Sequence, residues 1–184
     1  MDDKGKLKNG WRERLLNKKT LIIMALVIII VGAGAGVGFV KASDNPAFCT
    51  ICHNMQLYYD SYHEGNLLAK KHADAGNVCH DCHKPDLATQ ADEGIKFVTG
   101  NYKTPLDKLE VSRDFCLECH TDFDTKVKAA TNFEESNPHD SHNGEQECNL
   151  CHTMHGQSKP MCAECHQFEW FNDLDSSWDT NWQS

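Results

Sequence analysis

Outside one apolar stretch near the N-terminus, the sequence has few long periodic apolar runs and no convincing strand alternation. This points away from a sheet-based fold and leaves little polypeptide with which to build an apolar core. Basic residues are scarce beyond residue 20, where eleven Lys/Arg face twenty-four Asp/Glu, a net charge of −13. Such an acidic body argues against a nucleic-acid partner, which needs a basic surface. No cysteine stands outside one repeated pattern. A disulfide framework would give no reason for that regularity.

The ten cysteines fall in five copies of Cys-x-x-Cys-His: Cys49–His53, Cys79–His83, Cys116–His120, Cys148–His152 and Cys162–His166. This is the attachment signature of c-type haem. The thiols of Cys49 and Cys52, Cys79 and Cys82, Cys116 and Cys119, Cys148 and Cys151, and Cys162 and Cys165 would form thioethers to the porphyrin edge. The following histidines, His53, His83, His120, His152 and His166, then lie under the rings and can bind iron. Zinc sites would more often mix spacings and leave some cysteine pairs without an adjacent histidine. The expected cofactor load is therefore five covalently bound haem c groups.

Leu21 to Val40 is a run of twenty residues without a charge, long enough to cross a bilayer as a helix. Residues 1–20 form a basic tail with seven Lys/Arg against three Asp/Glu. Arg12, Arg14, Lys18 and Lys19 lie just before the apolar run, which assigns the tail to the cytoplasm and residues 41–184 to the extracytoplasmic side. The rival reading is a cleaved signal peptide ending near Val40-Lys41-Ala42, but signal cores are shorter. Gly32 and Gly36 have the spacing of a helix contact in membranes, or simply belong to the small residues filling that half of the span.

Beyond the anchor the expected fold is mainly α with extensive loops: one transmembrane helix, then a haem-cored multihaem cytochrome c domain. The porphyrins would supply most of its apolar core. Helices are expected over Gln56–Lys71, Leu87–Tyr102 and Phe123–Ala130. The tail beyond His166 carries Phe168, Trp170, Phe171, Trp178 and Trp182 among Glu169, Asp173, Asp175 and Asp179. Its aromatics would pack over the last haem, or its acids would form a docking surface.

Two families are resembled by different parts of the chain. The anchor, Phe48-Cys-Thr-Ile-Cys-His-Asn-Met55 and Cys79-His-Asp-Cys-His-Lys-Pro85 resemble the start of the NapC/NirT/NrfH membrane-anchored quinol dehydrogenases. Those usually have four haem motifs, so the fifth here is a departure, and the later spacing departs as well. Residues 70–178 resemble the tetrahaem domain of flavocytochrome c fumarate reductases. The carrying residues are His72, His139-Asp-Ser-His142, Cys151-His-Thr-Met-His155, Cys162-Ala-Glu-Cys-His-Gln-Phe168 and Trp178. Nothing resembles a dinucleotide-binding fold, so no flavin domain is expected in this chain. The resemblances imply a first-haem region over 48–63 joined to a four-haem part over 70–178.

An electron-transfer haem usually takes two axial ligands. The histidines outside the motif position are His63, His72, His80, His139, His142 and His155. The second resemblance implies that His72, His139, His142 and His155 are distal iron ligands. His139 and His142 are three apart and would share a face on a helical turn, each serving a different haem. His155 follows His152 too closely to reach the far face of the same ring, and should serve a neighbour. His80 reads as a spare, and His63 is left open. Met55 follows His53 by two residues, so as a ligand of the first iron it must replace His53 on the same side; the first resemblance permits this. Otherwise it is a packing residue.

These features imply oxidation of membrane quinol, menaquinol by the resemblance, with electrons relayed to an extracytoplasmic reductase, a flavoprotein being one expectation. The lipid bilayer is the other partner. Lys70, Lys84, Asp86 and Lys96 are polar candidates, by location alone, for the quinol site. A conduit fed by another membrane protein is the alternative. A haem-based terminal reductase fits less well, because pentahaem nitrite reductases carry Cys-x-x-Cys-Lys at the catalytic haem and that motif does not occur here. The motif count predicts five haems per chain by pyridine haemochrome quantitation against protein mass; a value near four contradicts it.

Overall fold

The computed structural model describes residues 17–51, 53–179 and 181. Cys52, Trp182, residues 1–16 of the basic tail with Arg12 and Arg14, and the side chain of His53 lie outside the described residues. The chain divides into two units, one ending at Phe48 and the other beginning at Cys49.

The first unit is one helix, α1 (Lys18–Ser43). Asn17 caps its start, its side-chain oxygen accepting from the Lys19 amide at 3.2 Å. The apolar side chains of α1, from Leu21 to Val40, are exposed on every side and none is buried. A helix apolar all round has no polar face to turn to water. Its 26 residues suffice to cross a bilayer, as an anchor or as a signal segment. A Cβ added at Gly32 or Gly36 would meet nothing within 4 Å, so neither position requires glycine within the helix.

The second unit is built from short helices and turns: α2 (Gln56–His63), α3 (Leu68–Asp74), a single turn α4 (Cys79–Cys82), α5 (Leu87–Thr99) and α6 (Arg113–Leu117). No named strand occurs among the described residues; one isolated bridge joins Ser158 and Trp178. The architecture is mainly α with extensive loops, as expected. The expected single helix over 56–71 is two helices, because the chain breaks after His63 and passes through Gly65 at φ 81°. A left-handed residue there ends a helix cheaply only as glycine. The helix expected to reach Tyr102 stops at Thr99, where Gly100 caps it at φ 71°. Phe123–Val127 is a π-helical turn that passes into a last helical turn at Lys128–Ala130.

The polypeptide buries very little of itself. Ala69 and Phe171 are the only buried hydrophobic side chains among the described residues. What holds the unit is a set of local locks. Ala69 N–H donates to the Met154 carbonyl at 3.0 Å, tying α3 to the fourth motif's loop. Arg113 donates its amide to Glu147 at 2.5 Å and lays its guanidinium 4.5 Å from the Phe123 ring centroid. The C-terminal segment folds back: Ser158 exchanges backbone hydrogen bonds with Ser177 and Asp179, at 2.9 and 2.8 Å. Asp175 pairs with Lys71 at 2.9 Å, and Asp179 with Lys159 at 3.2 Å. Hydrogen bonds from Ser177 and Lys71 hold the Asp175 carboxyl down at about 2. Two acids of the expected docking tail are thus engaged within the molecule.

Phe171 is 1% exposed and packs on Phe168 and Trp170. Truncating it removes a large part of what little apolar contact the polypeptide makes with itself. Phe171→Ala is expected to cost about 3–5 kcal/mol, read as a lower guanidinium midpoint of the haem-loaded protein. An unchanged midpoint contradicts this packing role.

Candidate metal centres

Eight histidines stand in four facing pairs. His83 and His155 have ring centroids 6.2 Å apart, His72 and His120 6.0 Å, His139 and His152 6.0 Å, and His142 and His166 5.9 Å. Each pair joins one motif histidine to one histidine from outside the motifs. Two imidazoles bonded to one metal ion at about 2 Å each have centroids about 6 Å apart. The spacing therefore suits an iron held between them. No group of three or more His, Cys, Asp or Glu suited to a metal ion occurs among the described residues.

Hydrogen bonds select the tautomer. His72 Nδ1–H donates to the Leu68 carbonyl at 2.8 Å, and a carbonyl can only accept. Ser61 Oγ gives its hydrogen to the Tyr58 carbonyl at 2.8 Å, so it accepts from His155 Nδ1, also at 2.8 Å. Thr131 Oγ1 donates toward the Val127 carbonyl at 2.8 Å and accepts from His139 Nδ1 at 2.9 Å. In all three rings the proton sits on Nδ1 and the Nε2 lone pair is left for a metal. Burial holds His155 and His139 below the usual imidazole range, helped by His83 and Arg113 respectively. Burial takes His152 down to about 4, with His139 and His120 adding to the effect. Neutral imidazole is the form that binds iron. The Tyr58 ring packs edge-on to His155 at 5.4 Å, and Trp178 edge-on to His152 at 5.3 Å. Phe168 stacks on His166 at 4.9 Å.

The elements explain who meets whom. His72 is carried on α3 and His155 on the loop hydrogen-bonded to α3. His139 and His142 lie in turns rather than on a helix, and this lets them diverge to His152 and His166. Ser61, Thr131, Tyr58 and the Leu68 carbonyl were not singled out in the sequence. A serine or threonine has no motif that marks it as a histidine's partner.

The sulfurs of successive motifs are neighbours. Cys79 shares a hydrogen bond with Cys49, which pushes Cys79 up and takes Cys49 down to about 6. Cys82 is raised by burial, then by Asp81 and Cys119. Cys116 is pushed up to about 11 by burial and by Cys148 beside it. Cys162 is raised by burial and then by Cys151. These are properties of the free thiols, and conversion to thioethers removes them.

At the first motif, Met55 is half-buried at the start of α2, and Asn54 Oδ1 is buried with no hydrogen-bond partner among the described residues. His63 stacks on Tyr59 at 5.4 Å and joins none of the four pairs. His80 sits in electrostatic reach of Cys49. The quinol-site candidates are dispersed. Asp86 caps α5 by accepting from the Thr89 amide at 2.7 Å. Lys84 pairs with Glu118 at 3.1 Å, Lys96 with Asp92 at 2.6 Å, and Lys70 with Asp74.

The residues fit covalently attached haem: paired neutral imidazoles at the right separation, adjacent cysteines, and a polypeptide with almost no core of its own. A family model described as cytochrome c3 matches residues 71–167. The chain is 33% identical over 180 residues to the cytochrome c-type protein Cgr1 of Eggerthella lenta, covering 81% of this chain and 82% of that protein. It is 34% identical over 100 residues to the acrylate reductase cytochrome subunit of Shewanella woodyi, covering 52% and 68%. It is 30% identical over 118 residues to the probable fumarate reductase Ifc3 of Shewanella frigidimarina, covering 60% of this chain and 16% of that protein. No solved structure matches the chain. Replacing His72, His139, His142 or His155 by alanine is expected to turn one low-spin centre high-spin without loss of covalent attachment. Electron paramagnetic resonance checks this, and a spectrum that stays fully low-spin removes that residue as a ligand.

Proposed function

Since the chain belongs to the cytochrome c3 family, we propose that it is a membrane-anchored pentahaem cytochrome that oxidises menaquinol and relays electrons to an extracytoplasmic reductase. The observation that carries this reading is the set of four histidine pairs, each uniting a motif histidine with a distal one at 5.9–6.2 Å. Bound haem supplies one-electron chemistry at its iron. The cysteine pairs would hold the five groups, and His83/His155, His120/His72, His152/His139 and His166/His142 would hold four irons. Ser61, Thr131 and the Leu68 carbonyl keep three distal rings in the metal-binding tautomer.

The fifth centre, the first in chain order, stands outside that set. Cys49 follows the end of α1 at Ser43 by six residues, which favours a position near the lipid headgroups where quinol arrives. Met55 lies two residues beyond its motif histidine; Met154 has the same spacing from His152, but His152 already faces His139 as a partner, whereas the first centre joins none of the four pairs. This supports the NapC/NirT-like reading of the N-terminal part: residues 1–20 as cytoplasmic tail, 21–40 as retained anchor, and Met55 or His53 as the first iron's ligand. The length of α1, 26 residues, favours an anchor over a signal core. The partner reductase is argued from the relatives, two of which are named for fumarate and acrylate reduction.

Menaquinol added to the full-length protein in detergent tests the reading. Rapid haem reduction supports it; no reduction, with normal reduction by dithionite, favours a conduit fed by another membrane protein. Met55→Leu keeps much of the side-chain volume and removes the sulfur. The variant should retain five haems, shift one spectroscopic component and slow quinol oxidation. Parental spectrum and rate together make Met55 a packing residue.

A further inference from the structure

His63 joins none of the four histidine pairs, and it borders a cavity. His63, Tyr62, Lys70, Ala73 and Asp74 line a hollow of about 290 Å³ between α2 and α3. We propose that this hollow receives the quinol headgroup and that His63 accepts a proton from it. The proposal rests on the quinol-oxidation reading and supplies the site that reading needs.

The walls suit a flat ring bearing hydroxyls. Tyr62 offers an aromatic face and Ala73 an apolar patch, while the Lys70–Asp74 ion pair offers both a donor and an acceptor. His63 is exposed toward solvent and is steadied from behind by the Tyr59 ring, stacked at 5.4 Å and 22°. Its ring nitrogens are not spent on a second imidazole, unlike those of the eight paired histidines. Of the four lysine and aspartate candidates read from the sequence, Lys70 alone lines the hollow.

The hollow also lies beside the sulfurs that would carry the first two porphyrins. Tyr62 Oη donates to the Asn77 carbonyl at 3.0 Å, two residues before Cys79, and Tyr62 feels the charge of Cys79 itself. Cys79 in turn hydrogen-bonds Cys49. A headgroup in the hollow is therefore next to the start of the chain of centres. Both quinol O–H bonds break, giving quinone, two protons and two electrons. One proton goes to a ring nitrogen of His63 and the other to water at the open mouth. The electrons reduce two ferric haems of the same chain to ferrous, one electron each.

The test uses the full-length, haem-loaded protein in detergent with two probes: 2-heptyl-4-hydroxyquinoline N-oxide, whose fluorescence is quenched on binding, and menaquinol. The parent should bind the N-oxide. His63→Gln, which keeps polarity but takes no proton, should bind it within about threefold of the parent and slow menaquinol-driven reduction about a hundredfold, the usual scale for a lost general base. His63→Leu should weaken N-oxide binding more than tenfold. Dithionite reduction and the low-spin spectrum should match the parent in both variants. If both variants bind the N-oxide and react with menaquinol as the parent does, the hollow is not the site and His63 is not the acceptor, while quinol oxidation itself stands. If the parent is not reduced by menaquinol at all, the functional reading fails and this inference with it.

Discussion

Everything in the second unit hangs on the distance between two imidazoles. A metal ion that takes one nitrogen from each side fixes that distance, and four pairs of rings in this chain hold it within 5.9–6.2 Å. The pairs join residues far apart in sequence: 48 positions separate His72 from His120, and 72 separate His83 from His155. A polypeptide that buries only Ala69 and Phe171 among its described apolar side chains has no core with which to enforce such closures. Under the proposed reading, the cross-links come from the irons that the rings bind. The many exposed ion pairs do not substitute for them, because each is worth little in water.

The same constraint orders the centres. Sulfurs of consecutive motifs adjoin one another from Cys49 and Cys79 through to Cys151 and Cys162. If each motif carries a haem, neighbours in sequence are neighbours in space, and electrons have a path that follows the chain from the first motif to the last. Helix α2 couples the two ends of the first step. Its start lies at Met55, beside the first motif, and its Ser61 and Tyr58 hold His155, the partner of the second motif's His83. The acceptors on the distal rings differ, a carbonyl for His72 against hydroxyls for His155 and His139. A carbonyl draws more on the Nδ1 proton and makes the ring a stronger donor to iron, so these contacts are a means of setting unequal potentials.

The family's covalent haem chemistry was legible in the repeated motif, because a thioether site needs two thiols and a histidine in a fixed local spacing. His72, His139, His142 and His155 were expected as distal ligands only by resemblance to a family pattern, and the structure sets each of them opposite a motif histidine. Their pairing was not legible at all, since the turns around His139 and His142 give no periodicity from which a direction follows. The expected helical face shared by those two residues does not exist, and their divergence serves two different motif histidines. Helix existence was read correctly over 56–71, but the break at Gly65 was not, although glycine is the residue that allows it. The hydroxyl partners Ser61 and Thr131 left no mark in the sequence, because a single serine or threonine on a helix usually bonds only its own backbone.

The angles between paired rings give the most direct check. His72/His120 and His142/His166 are near perpendicular, at 82° and 86°, whereas His139/His152 and His83/His155 are closer to parallel, at 5° and 33°. Low-spin ferric haem with perpendicular imidazole planes gives a strongly anisotropic paramagnetic resonance signal, and near-parallel planes give a rhombic one. The oxidised full-length protein should therefore show two centres of each kind, plus one distinct centre from the first motif. Fewer than four bis-histidine signals, or four of a single type, would contradict the pairing.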